Sequence, residues 1–175
     1  GRGEGELGEG GRKRRGGANL VEEGFEGGDG GGEEGGEEAA AGDVDGDGFH
    51  DVVYANQLDA SLSIYWGSAQ GDFDIPTEYS VGRINRAPLI GDINRDGLLD
   101  MVTLHEDESM IRSHVQGENR QFTQVSEDFQ GPPPLDGTLV DINEDGWPDI
   151  IFTVPGLDQN IQYRLGSHEG FLEQT

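Results

Sequence analysis

Cysteine is absent from all 175 residues, which excludes disulfides and thiolate metal sites and leaves the redox compartment open. Long apolar runs are absent too. No stretch of about 18 apolar residues occurs, so no segment is expected to cross a bilayer as a helix. Basic residues are scarce: 11 Lys and Arg stand against 36 Asp and Glu, a formal net charge of −25. A surface of that sign repels phosphate backbones, so nucleic acid is not expected as a direct partner, and anionic membranes are disfavoured for the same reason. No segment has a convincing amphipathic helical period. No G-x-S-x-G element, P-loop or dinucleotide fingerprint is present. His50, His105, His114 and His168 show neither metal spacing nor a nucleophile motif and are expected at surface or hairpin positions. No signal peptide is visible. The chain opens at Gly1 without Met, so it is read as a fragment or a processed product, and the missing signal carries little weight.

Glycine and acid dominate what is present. Residues 1–37 are low in complexity, with runs such as Gly27-Gly28-Asp29-Gly30-Gly31-Gly32. Such a stretch buries too little apolar surface to offset chain entropy, so it is expected to be disordered. Its one distinct feature is Arg12-Lys13-Arg14-Arg15. A processing site and a nuclear address are the functional readings, and a solvated charge cluster is the favoured one.

Three acidic loops follow, at 43–51, 92–100 and 141–149, spaced 49 residues apart. They share the pattern D-x-[DN]-x-D-G-x-x-D. Clustered carboxylates repel unless a cation gathers them. A hard ion with many oxygen ligands at about 2.3–2.6 Å, which describes calcium, suits them best. Side-chain oxygens would come from Asp43, Asp45, Asp47 and Asp51, from Asp92, Asn94, Asp96 and Asp100, and from Asp141, Asn143, Asp145 and Asp149. Backbone carbonyls would come from Phe49, Leu98 and Trp147. Gly48, Gly97 and Gly146 permit the sharp turn. An EF-hand needs an acid at the twelfth position, where this chain has Tyr54, Thr103 and Phe152. The competing explanation is a set of Asp/Asn/Gly turns without metal. A loop saturated by protein oxygens leaves no open position for substrate, so about three structural ions are expected, with no catalytic one.

The loops sit in a repeat. Short β-branched and aromatic segments at 51–56, 61–66, 79–81 and 88–90 return at 100–104, 109–115, 122–125 and 138–140, then at 149–153 and 161–165. Phe73, Phe122 and Phe171 hold the same spacing of 49. Periods of 40–50 residues with about four strands each point to propeller blades. The expectation is an all-β partial β-propeller over 38–175, about three four-stranded antiparallel blades, each loop joining the first and second strands of its blade. Tyr65, Trp66, Phe73 and Trp147 are candidates for sugar stacking, with packing between blades favoured.

At these loops the chain resembles the FG-GAP/VCBS repeat family, the calcium-loop β-propellers also seen in integrin α-subunit heads. Tyr65-Trp66-Gly67-Ser68-Ala69-Gln70-Gly71-Asp72-Phe73 resembles the family's turn between outer strands. Leu89-Ile90-Gly91-Asp92-Ile93-Asn94 resembles its inner strand running into the metal loop. Arg95 and Glu144 stand where the family favours Gly. Three blades are fewer than the four to eight that close a propeller. Further blades from a longer parent chain, or self-association, are therefore expected. The resemblance implies a non-enzymatic, extracellular (secreted or cell-surface) module for adhesion or recognition of a protein or glycan. The alternatives are the non-catalytic propeller of a larger secreted hydrolase or lyase, or a structural spacer in a surface protein.

Overall fold

The computed structural model describes residues 38–84, 88–128, 131–156, 161–168 and 171. The segment 1–37, with its basic cluster, lies outside them, as does most of the expected last strand of the third repeat. The described residues form eleven strands and one 3-10 turn at Glu118–Arg120, with no α-helix among them. The first sheet is β1 (Ala39–Gly42), β2 (Asp51–Asn56), β3 (Ser61–Tyr65) and β4 (Thr77–Ser80). The second is β5 (Leu89–Gly91), β6 (Asp100–His105), β7 (Met110–Gln116) and β8 (Phe122–Asp128). The third is β9 (Asp136–Val140), β10 (Asp149–Thr153) and β11 (Ile161–Arg164). Every sheet is an antiparallel meander with neighbours in chain order. The expected blades are therefore present, the third with three described strands.

The side-chain pattern explains these strands. β2 alternates buried and half-buried residues, with Val53 and Ala55 fully buried on one face. β6 is buried along its whole length, as a strand covered on both faces should be. One face of the second sheet packs on the first: Ile90 and Met101 meet Val53, Leu62 and Ile64. The other face packs on the third: Val102, Leu104 and Ile111 meet Ile150 and Phe152. Three sheets thus enclose two apolar cores, and each fully buried Leu, Ile or Val contributes about 1.5–3 kcal/mol.

The first strands β1, β5 and β9 lie side by side. Crowding there requires small residues. A Cβ on Gly91 would lie 2.9 Å from Leu139 Cδ1, and one on Gly42 would lie 3.3 Å from Leu99 Cδ1. The third repeat has Val140 at the same register, 42% exposed, with no described sheet beyond it.

The two ends of the fan differ from its middle in a regular way. Val44 is fully buried and Ile93 packs against the second core, yet the equivalent Ile142 is 45% exposed. Phe122 packs on the first core and Phe171 on the second, yet Phe73 is 53% exposed. Each sheet therefore uses Phe to cover the sheet before it and the loop aliphatic to meet the sheet after it.

Candidate metal centre

Each acidic loop joins the first two strands of its sheet, where the sequence places it. Two left-handed residues curl it. Gly48, Gly97 and Gly146 have φ of 98°, 94° and 89°. Two residues earlier, Gly46, Arg95 and Glu144 have φ of 76°, 65° and 60°. The first carboxylate spans the loop: Asp43, Asp92 and Asp141 accept the N–H of Gly48, Gly97 and Gly146 at 2.9–3.2 Å. The third and fifth positions accept N–H groups two residues ahead. Asp45 takes that of Asp47 at 3.0 Å, and Asp47 takes that of Phe49 at 2.8 Å. Asn94 and Asp96, then Asn143 and Asp145, repeat this at 2.8–3.1 Å, tying down the N–H groups of Leu98 and Trp147.

The ninth position is distinct. Asp51, Asp100 and Asp149 are each fully buried. In each, one carboxylate oxygen accepts the N–H of the loop's second residue, Val44, Ile93 or Ile142, at 2.7–2.9 Å. The other accepts an N–H near the end of the third strand, from Gly67, Gln116 or Gly166, at 2.7–2.9 Å. These aspartates bolt the loop to the sheet. A carboxylate offers about four lone-pair sites, so these hydrogen bonds, with a third at Asp100 from the Asn94 N–H at 3.3 Å, leave room for an ion. Burial pushes the Asp100 carboxyl up to about 6, against the hydrogen bonds from Gln116 and Ile93. Burial raises Asp51 likewise, against those from Gly67 and Val44. A neighbouring cation would offset that cost.

The residues present fit a hard cation. All donors are oxygens of carboxylates or amides, and one oxygen each from Asp43, Asp45 and Asp51 lies within 4.8 Å of the others. Asp92 Oδ1 is buried with no hydrogen-bond partner. A buried polar atom left unpaired is costly, and an ion is a natural partner for it. In the second and third loops an amide replaces one carboxylate: Asn94 donates to Asp96 Oδ2 at 2.9 Å and Asn143 to Asp145 Oδ2 at 2.8 Å.

The second sheet also grips the first loop, which sequence reasoning missed. Gln116 Nε2 donates to Val44 O at 2.9 Å, and the Leu99 N–H reaches the same oxygen at 3.4 Å. Arg120 pairs with Asp45 at 2.5 Å. Arg95 in turn stacks over Trp147 of the third loop, 5.0 Å from the ring centre. No local pattern marks these contacts, because each joins two repeats.

The histidine expectation needs correction. His50 and His168 are exposed, but His105 and His114 are 0% and 5% exposed. They sit on the face of the second sheet turned toward the first. The Thr103 hydroxyl lies 2.8 Å from His105 Nε2 and 3.0 Å from His114 Nε2, so it bridges the two rings. Among the aromatics, Trp66 is buried and donates to Thr77 Oγ1 at 2.9 Å, Trp147 is half-buried, and Phe73 is exposed.

Residues 43–103 match the family model described as FG-GAP-like repeat. Comparison with curated proteins and with solved structures found no match.

Proposed function

Taking residues 43–103 as an FG-GAP-like repeat, we propose that the chain is a calcium-stabilised, non-catalytic β-propeller module acting outside the cell in adhesion or recognition of a protein or glycan. One observation carries the metal reading: in the first loop an oxygen each from Asp43, Asp45 and Asp51 lies within 4.8 Å of the others, and in the second Asp92 Oδ1 is left unpaired. The ion would be held by Asp43, Asp45, Asp47 and Asp51, by Asp92, Asn94, Asp96 and Asp100, and by Asp141, Asn143, Asp145 and Asp149. Carbonyls of Phe49, Leu98 and Trp147 would complete the shells. Calcium supplies charge compensation there and no reaction. An ion that binds only the folded chain stabilises it by RT ln(1 + [L]/Kd). Kd is expected at about 10⁻⁴–10⁻³ M, the class of extracellular modules.

The uncovered faces support a partner of the same architecture. Ile142 and Ile161 on the third sheet are 45% and 65% exposed, at the register where the first two sheets turn Val44 and Leu62, then Ile93 and Ile111, toward a neighbour. A further blade, from a longer chain or a second copy, would cover them. The test is thermal unfolding of wild type and Asp96→Ala with and without calcium. The variant should melt lower in calcium and match wild type in EDTA. Equal losses in both buffers would remove the metal role.

A further inference from the structure

At its ligand positions the first loop differs from the other two in one charge. Its third position is Asp45, where the second and third loops have the neutral amides Asn94 and Asn143. That extra carboxylate has a partner supplied by the neighbouring sheet. Arg120 Nη2 lies 2.5 Å from Asp45 Oδ2 and 4.0 Å from Asp47 Oδ2.

The arginine is built into place. Its Cζ stacks 4.4 Å from the Trp66 ring centre. Its backbone carbonyl accepts a hydrogen bond from the Tyr79 hydroxyl, and Tyr79 meets Phe122 edge-on with centroids 5.2 Å apart. The backbone around it repeats a turn of the first sheet. Gly117 N–H bonds Gln121 O at 2.7 Å, as Ser68 N–H bonds Asp72 O at 3.1 Å one repeat earlier. In that register Arg120 replaces Gly71, and both are left-handed, with φ of 59° and 78°. Glycine accepts this conformation without strain and arginine does not. The strain is matched by what the side chain reaches: the cation is seated at the loop with a fourth carboxylate among its ligand positions. No ion pair of this kind reaches the second or third loop among the described residues. The position in the third repeat is Glu169, an acid, which lies outside them.

We propose that Arg120 is a tethered cation that neutralises Asp45, holding the first loop's calcium affinity down to that of its two counterparts with three ligand carboxylates and latching that loop to the second sheet when calcium is absent. Calcium at the first loop and the guanidinium at Asp45 are like charges competing for the same oxygens, so each weakens the other. The inference rests on the calcium reading of the loops.

The test isolates the first loop in the full chain by combining Asp96→Asn with Asp145→Asn, then titrates calcium calorimetrically. Adding Arg120→Gln should tighten calcium binding about two- to fivefold, the range for removing one partly exposed charge pair. It should also lower the melting temperature in EDTA more than in saturating calcium. Arg120→Lys, which keeps the charge, should retain the parent affinity. In an Asp45→Asn background, Arg120→Gln should give a smaller gain, because only the longer 4.0 Å approach to Asp47 remains. Unchanged or weakened binding in Arg120→Gln, or the same gain with Asn at position 45, overturns the proposal while leaving calcium binding intact. Absence of calcium uptake by the wild-type chain itself overturns both.

Discussion

At single residues, the loops carry backbone strain that their chemistry requires. Arg95 and Glu144 adopt φ of 65° and 60° at the position where the first loop has Gly46. A side chain in that conformation costs about 1 kcal/mol. Arg95 has Trp147 to stack on, whereas Glu144 is exposed and makes no described ion pair. Glu144→Gly is therefore expected to stabilise the chain by about 0.5–1 kcal/mol, read by urea denaturation. Buried His114 gives a pH prediction. Burial lowers it from 6.5 to about 4, with the charges of His105 and Arg112 adding to the effect. Its folded value lies below its unfolded one, so the unfolded chain takes up the proton first. Its contribution is whole above about pH 6.5 and is lost as pH falls toward 4, on the order of 3 kcal/mol in total. Asp100 acts the other way: its folded value of about 6 exceeds 3.8, so its part of the stability falls as pH rises through that window. Comparing His114→Asn with wild type in calcium-free buffer separates them. The variant should lose the acid-side drop, and parallel curves for the two proteins would refute the assignment.

Among elements, local signals and cross-repeat contacts separate cleanly. The strands were legible because alternation and turn residues are local: 89–91, 100–105 and 110–116 lie within two residues of the segments marked by Val, Ile and aromatic side chains. The loops were legible because the hydrogen bonds that curl them close within nine residues, from Asp43 to Gly48 and from Asp51 to Val44 for instance. The buried histidines were not, since the face of β6 turned toward the first sheet is apolar at Met101 and polar at Thr103 and His105. The grip of Gln116 and Arg120 on the first loop was also hidden, because Gln116 and Val44 stand 72 residues apart and Arg120 is as remote from Asp45. The role of Gly91 emerges only when sheets pack. Gly91→Val would drive a side chain into Leu139, 2.9 Å from an added Cβ. It should destabilise by about 1–3 kcal/mol as overpacking. Val140→Gly, at the same register on the uncovered face, should change urea stability far less. Comparable losses would deny that the β1, β5 and β9 layer is tight only where a neighbour covers it.

For the whole molecule, three sheets share two cores and leave an apolar face at the end of the fan. Val44 and Ile142 hold the same loop position, one fully buried and one 45% exposed. Ile142→Asp should alter stability by no more than about 0.5 kcal/mol, as for an ordinary surface change, while Val44→Asp buries an unpaired charge and should cost more than about 4 kcal/mol. Chemical denaturation of both variants measures the contrast. Charge acts at the same scale: ten carboxylates stand at the ligand positions of three loops in a chain with net charge −25. Ion uptake should therefore stabilise all three sheets together. The most direct measurement is a calorimetric calcium titration of the intact chain alongside its melting temperature. About three ions per chain, with the melting temperature rising across the same concentrations, is the expected result. No uptake at millimolar calcium, with melting indifferent to EDTA, would contradict it and leave the loops as turns closed by their own hydrogen bonds.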